Sequence, residues 1–191
     1  MKVDAHQHFW HYNPTDYGWI TDEMSSLRRD FLPEDLMRAQ APLGFDGSIA
    51  VQARQTLAET EWLLQLADRY PFIKGVVGWV DLRSPELPTL LGRFTRCPKL
   101  RGIRHVVQDE ADDHFMLRPD FQRGIRQLGR FGLTYDILIH PRHLPTACDL
   151  VGRFPDQRFV LDHMAKPFIK RGELEPWATD IERLASFPNV H

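Results

Sequence analysis

Short apolar runs alternate along this chain with longer stretches in which apolar residues recur every three or four positions. The first run, Val3 to Phe9, reads as a strand. After a loop rich in aromatic residues, Leu32 and Pro33 mark the entry to a helix carrying Leu36 and Met37, because proline is tolerated in a first helical turn. Gly47–Gln52 predicts the second strand, and Glu59–Tyr70 a helix with Trp62, Leu63, Leu66 and Ala67 on one face. Ile73–Val80, Leu100–Val107, Leu133–His140 and Arg158–His163 read as further strands. Helices are expected between and after them at Leu87–Phe94, Asp120–Phe131, Leu144–Phe154 and Trp177–Phe187. Residues 188–191 look like the approach to a seventh strand.

Regular strand–helix alternation argues for a parallel sheet with crossover helices, and the strands are apolar on both faces, as doubly covered parallel strands are. Two closures stay open, a barrel and an open doubly wound sheet. No glycine-rich phosphate loop follows the first strand, which weakens a dinucleotide-binding sheet. Polar residues gather at the carboxyl ends of successive strands: His6 and His8, Gln52 and Arg54, Trp79 and Asp81, Arg104 and His105, Asp136 and His140, Asp162 and His163. Chemistry at that rim is the habit of a (β/α)8 barrel.

At 191 residues the chain can bury one substantial core. A hydrophobic fraction of 42% with 26% charged residues is ordinary for a globular protein, and a net charge of −2 gives no footprint for nucleic acid or an anionic membrane. Cys97 and Cys148 form no CxxC pair, so neither a disulfide framework nor a thiolate zinc site is indicated. The cytosol is the default compartment, and a small molecule is the expected partner.

His6 and His8 carry the sharpest chemical signal. Residues two apart on a strand share a face, about 6–7 Å apart along it, and two neutral imidazoles converging from a rigid strand make half of a transition-metal site. The alternative is a terminal strand whose histidines serve no ligand.

The stretch from Val3 to Trp10 with its HxH pair, Gly102–Glu110, Leu133–Asp136 and Phe159–Pro167 together resemble the amidohydrolase superfamily. Within it they resemble the amidohydrolase-related sugar lactonases of the L-fuconolactonase and L-rhamnono-lactonase type. The resemblance implies a distorted (β/α)8 barrel, a fold of about 250 residues. The chain is then expected to form one incomplete barrel domain over residues 1–191, with strand–helix units seven and eight missing. It further implies opening of a lactone to a hydroxy acid by activated water.

Residue by residue, the resemblance makes His6, His8 and His163 ligands of one divalent metal, zinc in the first instance, although metal-free lactonases belong to the same group. His163 is also the candidate catalytic electrophile. Arg104 is expected either to engage a lactone carbonyl or carboxylate or to pair with Asp109 or Glu110, and His140 to line the pocket. Asp162 is expected to point away from His163, and Asp136 to make an orienting hydrogen bond. Trp10, Tyr12, Tyr17 and Trp19 are candidates for a sugar-pocket wall or for packing. The aspartate that activates water in the family, at the end of its eighth strand, has no match here, so the 191-residue chain is expected to be inactive or nearly so, to be poorly stable, and to leave strand edges one and six unpaired. A metal-dependent decarboxylase and a non-catalytic binding module remain the competing readings.

Overall fold

The computed structural model describes residues 1–191, which pack as two compact units, Met1–Trp79 and Val80–His191. In the first, β1 (Val3–Gln7), β2 (Gly47–Val51) and β3 (Ile73–Gly78) pair in parallel in chain order, with Val3 opposite Gly47 and Ala50 opposite Val76. Between them run α1 (Pro33–Gln40) and α2 (Leu57–Arg69). Each helix start follows from local chemistry. Pro33 opens α1 where an unpaired N–H costs nothing, and the Asp35 carboxylate accepts the Leu32 N–H at 3.0 Å. Thr56 caps α2, its hydroxyl accepting the Glu59 N–H at 3.2 Å, an arrangement worth about 1 kcal/mol.

The loop from residue 8 to residue 32 carries its own small core. Trp10, Tyr17 and Ile20 are buried against Tyr12, Met24, Leu27, Phe31 and Ala53. Trp10 and Phe31 exchange both backbone hydrogen bonds at 3.0 Å, and the Trp10 indole donates to Arg29 O at 2.9 Å. Trp10 therefore packs, Tyr17 both packs here and lines a cavity with His11, Arg54 and Trp62, and Trp19 stands half exposed.

In the second unit, β4 (Leu100–Val106), β5 (Thr134–Leu138) and β6 (Phe159–Leu161) are again parallel neighbours, interleaved with α3 (Leu87–Phe94), α4 (Pro119–Arg130), α5 (Leu144–Arg153) and α6 (Trp177–Ala185). Alternation along β4 and β5 divides two chemistries between two faces. His105, Tyr135 and Phe159 join Phe115 and Phe121 in a chain of rings 5.0 to 6.3 Å apart. The other face carries Arg104 beside Asp136 in register, with Thr134 one pair below. Gly102 makes room for that polar layer, since a Cβ there would lie 2.3 Å from Thr134 Oγ1. On the helical side Gly124 lets α4 approach the Leu82 carbonyl, which a Cβ would meet at 2.2 Å.

Residues 189–191 extend this sheet. Phe159 N–H donates to Asn189 O at 2.8 Å, Leu161 N–H to His191 O at 2.9 Å, and His191 N–H returns to Phe159 O at 3.0 Å. The expected seventh-strand approach is thus in place, and it corrects the expectation of an open edge at β6. Cys97 and Cys148 are free thiols, and no helix is long and apolar enough to cross a membrane.

Candidate active site

His6 lies near the end of β1 and His8 one residue beyond it, both partly buried, with their Nε2 atoms 3.3 Å apart. That separation matches two ligands of one tetrahedral ion, because Zn–N bonds of about 2.0–2.1 Å at the tetrahedral angle put two nitrogens about 3.3 Å apart. His8 Nδ1 is 2.8 Å from the Val51 carbonyl. A carbonyl can only accept, so Nδ1 carries the proton and Nε2 presents its lone pair, the tautomer a metal requires. The donor set therefore fits a divalent cation. Upstream, Asp4 accepts the His6 N–H at 3.2 Å and the Gln40 amide at 2.8 Å, which fixes the strand end.

The polar face of the second unit centres on Arg104, which is 3% exposed and donates through Nη1 to Asp162 Oδ2 at 2.8 Å. This ion pair, with an acid far along the chain, is not among those expected of it. Glu110 instead receives His105 Nε2 at 2.7 Å, on the opposite face of β4. Asp162 accordingly faces the sheet's polar layer and not a helix. Asp136 accepts the Thr134 hydroxyl at 3.2 Å, the orienting bond expected of it. Burial, reinforced by the Asp162 charge, pushes the Asp136 carboxyl up to about 7, against the pull of Thr134 and Arg104.

A consequence for stability follows. A carboxyl raised on folding is protonated in the folded chain while still ionised in the unfolded one between its two pKa values, so stability falls as pH rises from about 4 to about 7 and levels off above. Asp136→Asn, which cannot ionise, is expected to flatten that decline. Urea midpoints of both proteins at about pH 5 and about pH 8 check it; parallel declines would refute the assignment.

Three loops at the carboxyl ends of β4, β5 and β6 are tied together. Lys166 Nζ donates to Gln108 Oε1 at 2.5 Å, and Arg142 reaches Gln108 O at 3.3 Å and Asp113 Oδ1 at 2.9 Å. His143, fully buried, lies 3.1 Å from the same Asp113 oxygen, and its Nδ1 accepts the His140 N–H at 3.1 Å. His140 itself is half-buried at this rim. Burial, then the nearby charges of Lys166 and Arg142, lowers its imidazole pKa from the usual histidine range.

His163 does not continue β6. It begins a left-handed turn in which His163, Met164, Ala165 and Lys166 have φ of 53°, 51°, 57° and 55°, closed by the Lys166 N–H on His163 O at 2.9 Å. Left-handed geometry costs a residue with a Cβ about 1–2 kcal/mol, and four such residues in succession persist only where the surroundings impose them. The turn leaves the His163 ring exposed while Ala165 is fully buried beneath it.

Several residues here were not singled out from the sequence. Glu59 is buried, accepting the Ala53 N–H at 2.6 Å and Arg54 Nε at 3.0 Å, while Arg54 also meets Asp16 at 2.5 Å. The available signal was the Thr56-x-x-Glu59 capping pattern. Lys166 lay inside a quoted motif without a role, and nothing in the sequence connected Trp177 to the turn, where its indole donates to Met164 O at 2.7 Å.

Parallel strands alternating with helices, with polar side chains at their carboxyl ends, fit a (β/α) barrel, and comparison with known proteins supplies the class. The chain belongs to the amidohydrolase family, whose model matches residues 3–191. An L-fucono-1,5-lactonase of Burkholderia ambifaria is 40% identical over 191 residues, covering 100% of this chain and 66% of the relative. A crystal structure of an amidohydrolase from Burkholderia multivorans with bound zinc superposes with a TM-score of 0.95 at 40% identity, covering 100% of this chain and 68% of that one. The fold is thus the TIM barrel of that family, of which this chain supplies six strand–helix units and about two thirds of the relatives' length. A 5-carboxyvanillate decarboxylase from Novosphingobium aromaticivorans, complexed with manganese, shares 15% identity at a TM-score of 0.63 over 96% of this chain and 69% of its own, a likeness of fold alone.

Proposed function

We propose that this protein hydrolyses a sugar-derived lactone of the L-fucono-1,5-lactone kind to its hydroxy acid. The observation that carries the reading is the 3.3 Å convergence of His6 and His8, tautomer-fixed by Val51, in a chain 40% identical along its whole length to a lactonase. His6, His8 and His163 are the proposed ligands of one divalent metal, zinc in the zinc-bound relative. When bound, such an ion supplies Lewis-acid polarisation of a carbonyl.

The chain's own residues do the rest. Arg104, its fork held by Asp162, orients the carbonyl or carboxylate end of the substrate. His140, half-buried at the rim, exchanges hydrogen bonds with sugar hydroxyls through its ring nitrogens. Water oxygen bonds to the carbonyl carbon and the ring ester C–O bond breaks. The leaving oxygen takes a proton, and the new carboxylic acid releases one to solvent. Its place is carbohydrate metabolism, and the two free thiols accord with a cytoplasmic enzyme.

Proton release from a panel of sugar lactones, run beside CO2 release from aromatic acids, tests the reading. L-Fucono-1,5-lactone opened faster than in buffer, and more slowly by His163→Ala, supports it. Substrate-dependent CO2, or lactone opening that His163→Ala leaves unchanged, overturns it.

A further inference from the structure

We infer that Trp177 is a positioning residue for His163, holding through its indole N–H the left-handed turn that presents the imidazole; the inference rests on the proposed role of His163 as a metal ligand. Four consecutive residues with side chains sit at φ between 51° and 57°, none of them glycine. Such a run needs outside support, and the structure supplies it from separate directions. The Trp177 indole donates to Met164 O at 2.7 Å from the first turn of α6, thirteen residues along the chain. Lys166 closes the far end of the turn, its ammonium donating to Gln108 Oε1 at 2.5 Å from the β4 side. Asp162, immediately before the turn, is held by Arg104 at 2.8 Å, and Ala165 is fully buried.

These supports differ in what they reach. The Arg104 bond and the Ala165 methyl anchor the turn at its base, and Lys166 fixes its exit. The indole engages the middle of the turn, at the carbonyl of Met164, the residue next to His163. The Met164 carbonyl belongs to the Met164–Ala165 peptide, whose rotation would change ψ of Met164 and φ of Ala165 and so undo the left-handed run immediately after His163. A donor at 2.7 Å fixes that carbonyl's direction, and with it the ψ of Met164, so the turn that carries His163 keeps its left-handed course. Met164 itself is 57% exposed, so its side chain contributes little to holding this conformation. Trp177 is only half-buried, and its N–H is spent on this one acceptor. Partners beyond the ligands orient ligand rings, and their removal commonly costs about 10–100-fold in metal affinity.

Trp177→Phe keeps the ring and deletes the donor. Zinc affinity, read by competition with a chromophoric chelator, is expected to fall by about 10–100-fold. Met164→Gly in that background is expected to restore part of the loss, because glycine adopts positive φ without steric cost. A merely structural tryptophan would lower the melting temperature and leave zinc affinity unchanged, and this outcome overturns the inference. Should Trp177→Phe fail to fold, Trp177→Phe/Met164→Gly against Met164→Gly alone gives the same comparison, with equal affinities again overturning it. The two layers separate cleanly. Wild-type affinity equal to that of His163→Ala removes the ligand role and the inference with it. An affinity that depends on His163 yet is indifferent to Trp177 removes the inference alone.

Discussion

Arg104→Met is expected to destabilise the chain by about 3–5 kcal/mol, because it strands Asp162 as a buried carboxylate without its cation. The two side chains are 4% and 2% exposed and meet at 2.8 Å, so neither can turn to water when the other is lost. Asp136 compounds the effect. It already sits in the same polar layer with its carboxyl raised by burial and by the Asp162 charge, and Arg104 is the cation that opposes that shift. For a chain of this size the loss corresponds to a fall in melting temperature on the order of 10 °C. The double replacement Arg104→Met/Asp162→Leu should recover much of the stability, since paired buried charges exchanged for apolar groups of similar volume often cost nothing. Urea denaturation of the three proteins decides the matter. A single variant within about 1 kcal/mol of wild type would mean that the pair is hydrated and not part of the core.

His8→Ala is expected to weaken zinc binding by well over the roughly 100-fold ceiling seen for groups that merely orient ligands. Its Nε2 is one of two nitrogens 3.3 Å apart, and its Nδ1 proton is committed to Val51 O at 2.8 Å. Alanine removes a donor whose tautomer is already set, leaving His6 without its neighbour on the strand. Zinc raises the stability of a folded chain by mass action, so the wild-type melting temperature should climb with added zinc while that of His8→Ala stays flat. Equal climbs in the two proteins would place the ion elsewhere.

Most of the architecture was legible because parallel strands and their helices leave strong periodic signals. Leu87–Phe94 matches the sequence reading residue for residue, and Ile73 and Leu100 begin their strands where expected. Ends drifted where polar rim residues leave the sheet: β5 stops at Leu138 and β6 at Leu161, before the histidines that follow them. The HxH pair was legible because both residues lie on one short segment. The Arg104 partner was not, since Asp162 is 58 residues away and the local acids Asp109 and Glu110 offered a simpler answer. Nor was the left-handed turn. Positive φ is ordinarily announced by glycine or asparagine, and Asp162-His163-Met164-Ala165-Lys166 contains neither. The aromatic loop was ambiguous in another way. Trp10 and Tyr17 are residues that line sugar pockets and equally residues that fill cores; the Phe31 pairing places Trp10 in a small core, while Tyr17 packs there and also borders a cavity.

X-ray absorption at the zinc edge of stoichiometrically loaded protein is the most direct measurement of the central claim, that histidines of this chain hold a metal. The account predicts imidazole scattering with nitrogen neighbours at about 2.0–2.1 Å, diminished in His8→Ala. A sulfur shell at about 2.3 Å from Cys97 or Cys148, or an oxygen-only shell unchanged by that substitution, would contradict it.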